Sequence, residues 1–395
     1  MSLHAESGER RTAFWRVPEV RAVIYQAFAL AALAALFAFL ASTTVENLQK
    51  QNIATGFGFL SKESAFDIGE SLIPYSPRDS YCRALVVGFL NTLKVAGLGI
   101  VLTVVLGTML GIARLSRNGL VSGLATAYVE IIRNVPVLLQ LFFWYALFRN
   151  FPGPARALQP LPGVFLCNRG LMLPFPHLGA PELWVLASLP VGIGLWWWAS
   201  RRARARRELR GREGPESWLV PLIVPACLLF ASLAAGASWH LEFPVLKGLN
   251  FRGGASLSPE FGALLLGLVV YTGAFVGEIV RAGILSVDKG QIEAAKAIGL
   301  KQSRIMRLVV LPQALRVIIP PLTSQMLNLT KNSSLAVAVG YPDLVAVANT
   351  TLNQTGQAIE GITIIMVIYL AFSLLTSAFM NWYNRRRTLR TSQSR

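Results

Sequence analysis

The stretch VIYQAFALAALAALFAFLAS, residues 23–42, runs for twenty positions without a charge. At about 1.5 Å per residue a helix of that length covers about 30 Å, the hydrocarbon thickness of a bilayer. The pattern recurs along the chain. Ala84–Ala113 is interrupted only by Lys94, Leu120–Phe148 carries Glu130 and Arg133 near its start, and Leu183–Ser200 and Trp218–Ala237 are uncharged. Phe261–Gly277 is uncharged and continues through Glu278 towards Leu285, Val317–Val339 contains Lys331, and Gly361–Trp382 closes the set. Backbone groups must be paired within lipid, so spans of this kind are helical. The expected fold is an all-α membrane protein, a polytopic bundle of about eight transmembrane helices.

Composition agrees. Of 395 residues 53% are hydrophobic and 14% charged, yet the net charge is +17, from 37 Lys and Arg against 20 Asp and Glu. So few charges, gathered between long apolar runs, exclude a disordered chain, a disulfide scaffold and a soluble enzyme. Basic residues precede the first run, as in a signal peptide. Its length and the loose Ala41–Thr44 end read instead as a retained helix.

Lys and Arg placement sets the orientation. Arg10, Arg11, Arg16 and Arg21 mark residues 1–22 as a cytoplasmic basic tail, followed by an extra first helix at 23–42 and a periplasmic loop at 43–85. Residues 86–148 form the first part of a core. Residues 149–260 are an insertion with two further spans and an Arg-rich cytoplasmic loop. Residues 261–383 are the second part of the core, and 384–395 a second cytoplasmic tail. With both termini inside, the richest basic clusters, Arg201–Arg212 and Arg385–Arg390, fall on the cytoplasmic side. No aromatic residue is interleaved within Arg201–Arg212, so the run reads as a topological anchor facing membrane lipid, not as a nucleic-acid site. Cys82 and Cys167 both fall on the predicted external side, where a bridge or two free thiols are open to them; Cys227 sits in a span. His4, His177 and His240 are isolated, and no metal site is expected.

One loop has an internal design: SVDKGQIEAAKAIGLKQSRIMRLVVLP, residues 286–312. It reads as two short helices, Gln291–Ile298 stopped by Gly299 and Ser303–Leu311 capped by Ser303 and ended by Pro312. In the first, Ile292, Ala295 and Ile298 share a face, and Ala294, Ala295 and Ala297 let another surface approach closely. That is a docking element for a second protein.

These residues resemble a known family. Glu293-Ala294-Ala295, Gly299, Val309, Leu311 and Pro312 match the spacing of the EAA loop of ABC-importer permeases, with Val309 in place of the usual Ile. YVEIIRNVPVLLQLFF (128–143), GEIVRAGI (277–284), KGQ (289–291), LPQALR (311–316) and KNSSL (331–335) are similar to the polar-amino-acid permeases of the histidine/glutamine type. The likeness covers about Val86–Phe148 and Gly262–Tyr383. The leading helix and the inserted pair look like the large permease subunit of broad-specificity L-amino-acid importers. The resemblance implies a type I ABC-importer permease core in the bacterial inner membrane. It also implies that Gly290, Glu293, Ala294, Ala295, Gly299, Leu311 and Pro312 couple the bundle to an ATPase. Expected partners are a second permease (a homologous chain or a second copy), a cytoplasmic ABC ATPase dimer and a periplasmic amino-acid-binding protein. The sequence contains no Gly-Lys dipeptide, and a P-loop needs that lysine. This chain is therefore expected to bind no cofactor and to be a transport subunit, ATP and Mg²⁺ acting on the partner ATPase.

Ionisable groups inside spans are costly and invite a functional reading. Lys331 lies about 14 residues into its span, roughly 21 Å at 1.5 Å per residue, and would attract a carboxylate. Asn328, Asn332, Ser333 and Ser334 add hydrogen-bonding groups. Asn332 stands where the family usually has Asp. Glu278 is the counter-charge expected for Lys331 or for a substrate ammonium. Glu278, Arg281 and Lys331 read either as pathway groups or as interhelical ion pairs, Glu130 and Arg133 as structural or pathway groups, and Lys94 snorkels outwards. The alternative function is an ion-gradient-driven amino-acid transporter, which the scarcity of acids in the spans disfavours.

Overall fold

The computed structural model describes residues 18–50, 55–176, 179–210, 220–236, 238 and 240–392. Arg10, Arg11, Arg16, His4, His177 and Arg212 lie outside the described residues. The first half of the described chain carries α1 (Pro18–Lys50), α2 (Tyr81–Arg114), α3 (Gly119–Asn134) and α4 (Val137–Arg149). The insertion carries α5 (Ala180–Ala187), α6 (Leu189–Arg210) and α7 (Ile223–Ala235). The second half carries α8 (Pro259–Leu285), α9 (Lys289–Ala297), α10 (Gln302–Ile305), α11 (Leu311–Asn332), α12 (Leu344–Thr355) and α13 (Ala358–Ser392).

Among the described residues six helical stretches are long and apolar enough to cross a membrane: Arg21–Asn47, Tyr81–Arg114, Pro181–Ala203, Pro259–Leu285, Gln302–Val339 and Ala358–Ala378. The expected span Leu120–Phe148 is not one straight helix. It breaks into α3 and α4, bent by 105°. The cause is Pro136, which lacks an N–H, preceded by extended Val135 (φ −97°, ψ 127°). Gln140 repairs the break, its Nε2 donating to the carbonyls of Ile132 and Val135, each at 3.0 Å. Of the expected span Trp218–Ala237 the described residues form an apolar helix over Val220–Ala235.

A second correction concerns Pro312. It does not end a helix. A π-helical turn over Met306–Val310 joins α10 to α11, with Pro312 in the first turn of α11. The π turn leaves the ring of Pro312 room that a regular i→i−4 ladder would not. The N-cap position is Lys301, without a side-chain hydrogen bond, and not Ser303. At the far end the span finishes as a 3₁₀ turn over Ser333–Val339, stopped by Gly340 at φ +79°.

Parallel helices α2 and α8 make the spine. Lys94 lies over the Phe261 ring at 4.3 Å, Gly107 faces Gly273 and Val276, Gly111 faces Gly277 and Val280, and Arg114 meets Glu278. Small residues let the backbones approach, and dispersion holds them. A Cβ at Gly111 would lie 2.7 Å from Val280 Cβ and 2.8 Å from the Gly277 carbonyl oxygen. Around this spine, Val95, Leu141, Phe261, Leu264, Leu268, Leu329 and Tyr341 form the buried core of one half. Val276, Val280, Ile305, Val310, Ala314 and Ile318 form that of the other.

Because α2 and α8 run the same way, the chain between them traverses the bundle an odd number of times: out by α3–α4, back by α5–α6, out again by α7. Among the described residues eight short strands lie in the stretches flanking that hairpin, an addition to the expected helical architecture. They are β1 (Leu158–Leu161), β2 (Val164–Cys167), β3 (Gly170–Leu173), β4 (Phe175–Pro176), β5 (Leu241–Glu242), β6 (Val245–Lys247), β7 (Asn250–Arg252) and β8 (Ala255–Leu257). Strands β1-β2-β3-β8 form one antiparallel sheet. Strand β4 pairs with β5, Phe175 opposite Glu242 and Pro176 opposite Leu241, so the chain leaves and re-enters at one two-residue ribbon.

Segment 55–80 folds over the same end. Asn91 Nδ2 donates to the carbonyls of Glu70 (2.8 Å) and Pro342 (2.9 Å), and Lys94 Nζ lies 3.4 Å from Glu70 Oε1. Lys94 therefore does reach towards that face.

Candidate functional site

At the opposite end, α8 leads through Ser286–Asp288 into α9. Asp288 caps α9, its Oδ1 accepting from Gly290 N at 2.7 Å. The helix stops at Ile298, and Gly299 adopts φ +76°, a left-handed conformation that suits glycine. The face expected to be free is largely used at home. Ala295 is buried, and Ile292 and Leu300 pack with it against Val287, Ile305 and Val310. What α9 presents outwards is Glu293, Ala294, Lys296, Ala297 and Ile298, the last 76% exposed. Gly290, Leu311 and Pro312 are exposed on the same segment.

Just above lies an ionic node that the sequence did not reveal. Arg114, its side chain only 8% exposed, is hydrogen-bonded to Glu278 Oε2 through Nη1 and lies 3.7 Å from Glu130 Oε1 through Nη2. Arg281 completes Glu278 with two bonds, Nε to Oε2 at 3.0 Å and Nη2 to Oε1 at 2.6 Å. Arg133 stands 5.1 Å over the Phe275 ring. Helices α2, α3 and α8 are thus tied where α8 approaches α9. Arg114 closes α2. Its membrane-side role follows only from the register of α2 on α8.

Glu278 therefore has Arg114 and Arg281 as partners, not Lys331, which corrects the expected pairing and favours the ion-pair reading. Lys331 is exposed near the end of α11, where the helix gives way to the 3₁₀ turn. With Ser334, Val345, Ile365, Tyr369, Leu370 and Ser373 it lines an open cavity of about 430 Å³. Asn328 is exposed and Asn332 half-buried. The Ser333 and Ser334 hydroxyls donate to the carbonyls of Thr330 and Lys331, both at 2.7 Å, so they first serve the helix end. A second cavity, of about 420 Å³, opens at the far end beneath segment 55–80, with Asp67, Glu70 and Glu260 on its walls.

Among the described residues, no group of three or more His, Cys, Asp or Glu is placed to hold a metal ion. Cys82, Cys167 and Cys227 are free thiols, so the open alternative of a Cys82–Cys167 bridge resolves to none.

Residues 215–389 match the family described as binding-protein-dependent transport system inner membrane component. Three curated relatives align over nearly the whole chain. YhdX of Escherichia coli (strain K12), provisionally named an amino-acid ABC transporter permease, is 46% identical over 97% of this chain and 98% of that protein. The general L-amino acid transport system permease protein AapQ of Rhizobium johnstonii is 44% identical over 98% and 97%. The glutamate/glutamine/aspartate/asparagine transport system permease protein BztB of Rhodobacter capsulatus is 39% identical over 92% and 93%.

Proposed function

We propose how this chain works from the premise that it belongs to the amino-acid ABC transporter permeases, inner-membrane components of binding-protein-dependent transport systems. It is a multi-pass membrane protein and a permease subunit of an ABC importer, not an ion-gradient-driven transporter. Its cargo is L-amino acids, polar or broad in range, the class its relatives are named for. It works beside a second permease, identical or homologous, above a pair of cytoplasmic ATPases and below a periplasmic amino-acid-binding protein. ATP and Mg²⁺ act on the ATPases, and this chain binds neither. Both termini lie in the cytoplasm.

One observation supports the coupling route: α9, with Glu293 and Ala294 outward, is three residues from α8, and α8 is tied by the Arg114 node to α2 and α3. A displacement of α9 by closing ATPases then moves three helices as one body. The bundle exchanges inward- and outward-facing packings, each ligand shifting the balance by its different affinity for the two. Lys331 attracts the substrate carboxylate, with Asn328, Asn332, Ser333 and Ser334 around it. Glu278, Arg281, Glu130 and Arg133 keep the helices in register.

The test is Gly299→Arg in the complex reconstituted with its partner subunits. A side chain at φ +76° strains the turn by about 1 kcal/mol or more, and a cation is added beside α9. The chain should still insert and purify, while ATP-dependent amino-acid uptake falls at least about tenfold and ATP hydrolysis no longer responds to substrate. Ala294→Arg should behave likewise. Normal uptake by both variants would remove the docking role.

A further inference from the structure

We propose that the inserted hairpin α5–α7 is a lipid-facing anchor, and that its Trp197–Arg201 and Trp198–Arg202 pairs bind the headgroups of anionic phospholipid. Three observations converge. The hairpin packs on itself: Gly192 of α6 nests against Cys227 and Val224 of α7, and among the described residues none of α5, α6 or α7 belongs to the buried clusters of the bundle. Leu183, Trp184, Val191 and Ile193 are exposed on Pro181–Ala203, a stretch apolar enough to cross a bilayer, and Phe230 and Leu233 are exposed on the shorter apolar helix beside it. Hydrocarbon is the solvent such a surface fits.

The second observation is where that surface ends. Trp197 and Trp198 are each 51% exposed, and one turn on, the Arg201 and Arg202 guanidinium groups stack over them at 3.8 and 3.9 Å. A stacked guanidinium uses its face on the ring and keeps its in-plane N–H groups for a phosphate, the geometry of bidentate recognition. Indoles at the hydrocarbon boundary with arginines beyond it also match the chemistry of a bilayer interface. Among the described residues no carboxylate is ion-paired with Arg201 or Arg202.

Third, α6 does not stop at the boundary. Its backbone continues as helix through Arg204, Arg206, Arg207 and Arg210, with Glu208 the only acid between Arg201 and Arg210. By sequence that end is a concentrated run of cations. Each base near an anionic surface strengthens attraction about fivefold.

The test uses the full-length chain in detergent, titrated with phosphatidylglycerol or phosphatidylcholine and read by native mass spectrometry. Wild type should retain phosphatidylglycerol at least tenfold better, and R201Q/R202Q should lose most of that preference. R201K/R202K should keep an intermediate preference, having charge without the fork. Undiminished preference in R201Q/R202Q overturns the proposal. In case the variants do not insert, wild type is also irradiated in vesicles containing photoreactive phosphatidylglycerol. Adducts concentrated in residues 189–210 support the anchor. Adducts only elsewhere overturn it, as does a photo-crosslinker at position 197 that captures a second permease or an ATPase instead of lipid.

Discussion

Adding one methyl group at two glycines of α2 should have opposite effects. Gly111 is buried in the seam with α8, and an alanine Cβ there would sit 2.7 Å from Val280 Cβ. Carbon atoms rest at about 3.5–4.0 Å, so the helices must separate by close to 1 Å or Val280 must move into packed surroundings. Overpacking of that kind costs about 1–3 kcal/mol. Gly97 lies on the same helix with nothing within 4 Å of the equivalent position. Alanine there removes backbone freedom from the unfolded chain and should be worth about 0.5–1 kcal/mol of stability. The pair should therefore differ by about 1.5–4 kcal/mol although the chemical change is identical. Thermal unfolding of the purified full-length chain in one detergent, followed by tryptophan fluorescence, reads the order. Gly111→Ala should melt several degrees below wild type and Gly97→Ala at or above it. A Gly111→Ala midpoint equal to that of Gly97→Ala would refute the close-packed seam.

Three further outcomes are expected. Gln140→Leu keeps the size of the side chain but strips the carbonyls of Ile132 and Val135 of their donor, and should cost about 2 kcal/mol or more, seen as a lower melting point and faster proteolysis near the bend. Arg114→Gln leaves Glu130 without its ion pair and Glu278 with Arg281 alone. Because Glu130 is 57% exposed, the loss should be about 1–3 kcal/mol. Arg114→Lys, a point charge without the fork, should restore only part of it; full stability in Arg114→Gln would dismiss the node. Asp343, in the turn before α12, has no solvent exposure, and burial pushes its carboxyl up to about 7. The unfolded chain releases that proton near pH 4. Between about pH 4 and 7 the folded state therefore holds more protons, and stability falls as pH rises through that window. Asp343→Asn should flatten this slope; an unchanged slope would exclude Asp343 as its source.

The spans were legible because lipid leaves the sequence little choice: twenty uncharged residues, or a run broken only by Lys94, admit one reading. The α9 segment was legible for a local reason, since Gly299 marks its stop, although its start lies two residues earlier than the expected Gln291, at Lys289. Pro136 and Gln140 were in plain view too, but hydropathy sums across a bend and does not register a carbonyl repaired four residues later. Pro312 misled in the opposite sense. Proline normally ends a helix, and only the π turn before it absorbs the ring. Arg114 was beyond reach: it meets Glu278 across 164 residues of sequence, through a register that glycines on two distant helices fix jointly. The strands of the insertion are two to four residues long, too short for alternation to declare itself.

The ribbon that closes residues 177–240 carries a topological consequence. A segment that departs and returns through neighbouring positions contributes an even number of crossings. Excising it, with β4 spliced to β5, would leave every downstream helix pointing as before. In parity terms the module is a detour, and its presence or absence does not invert the machine around it.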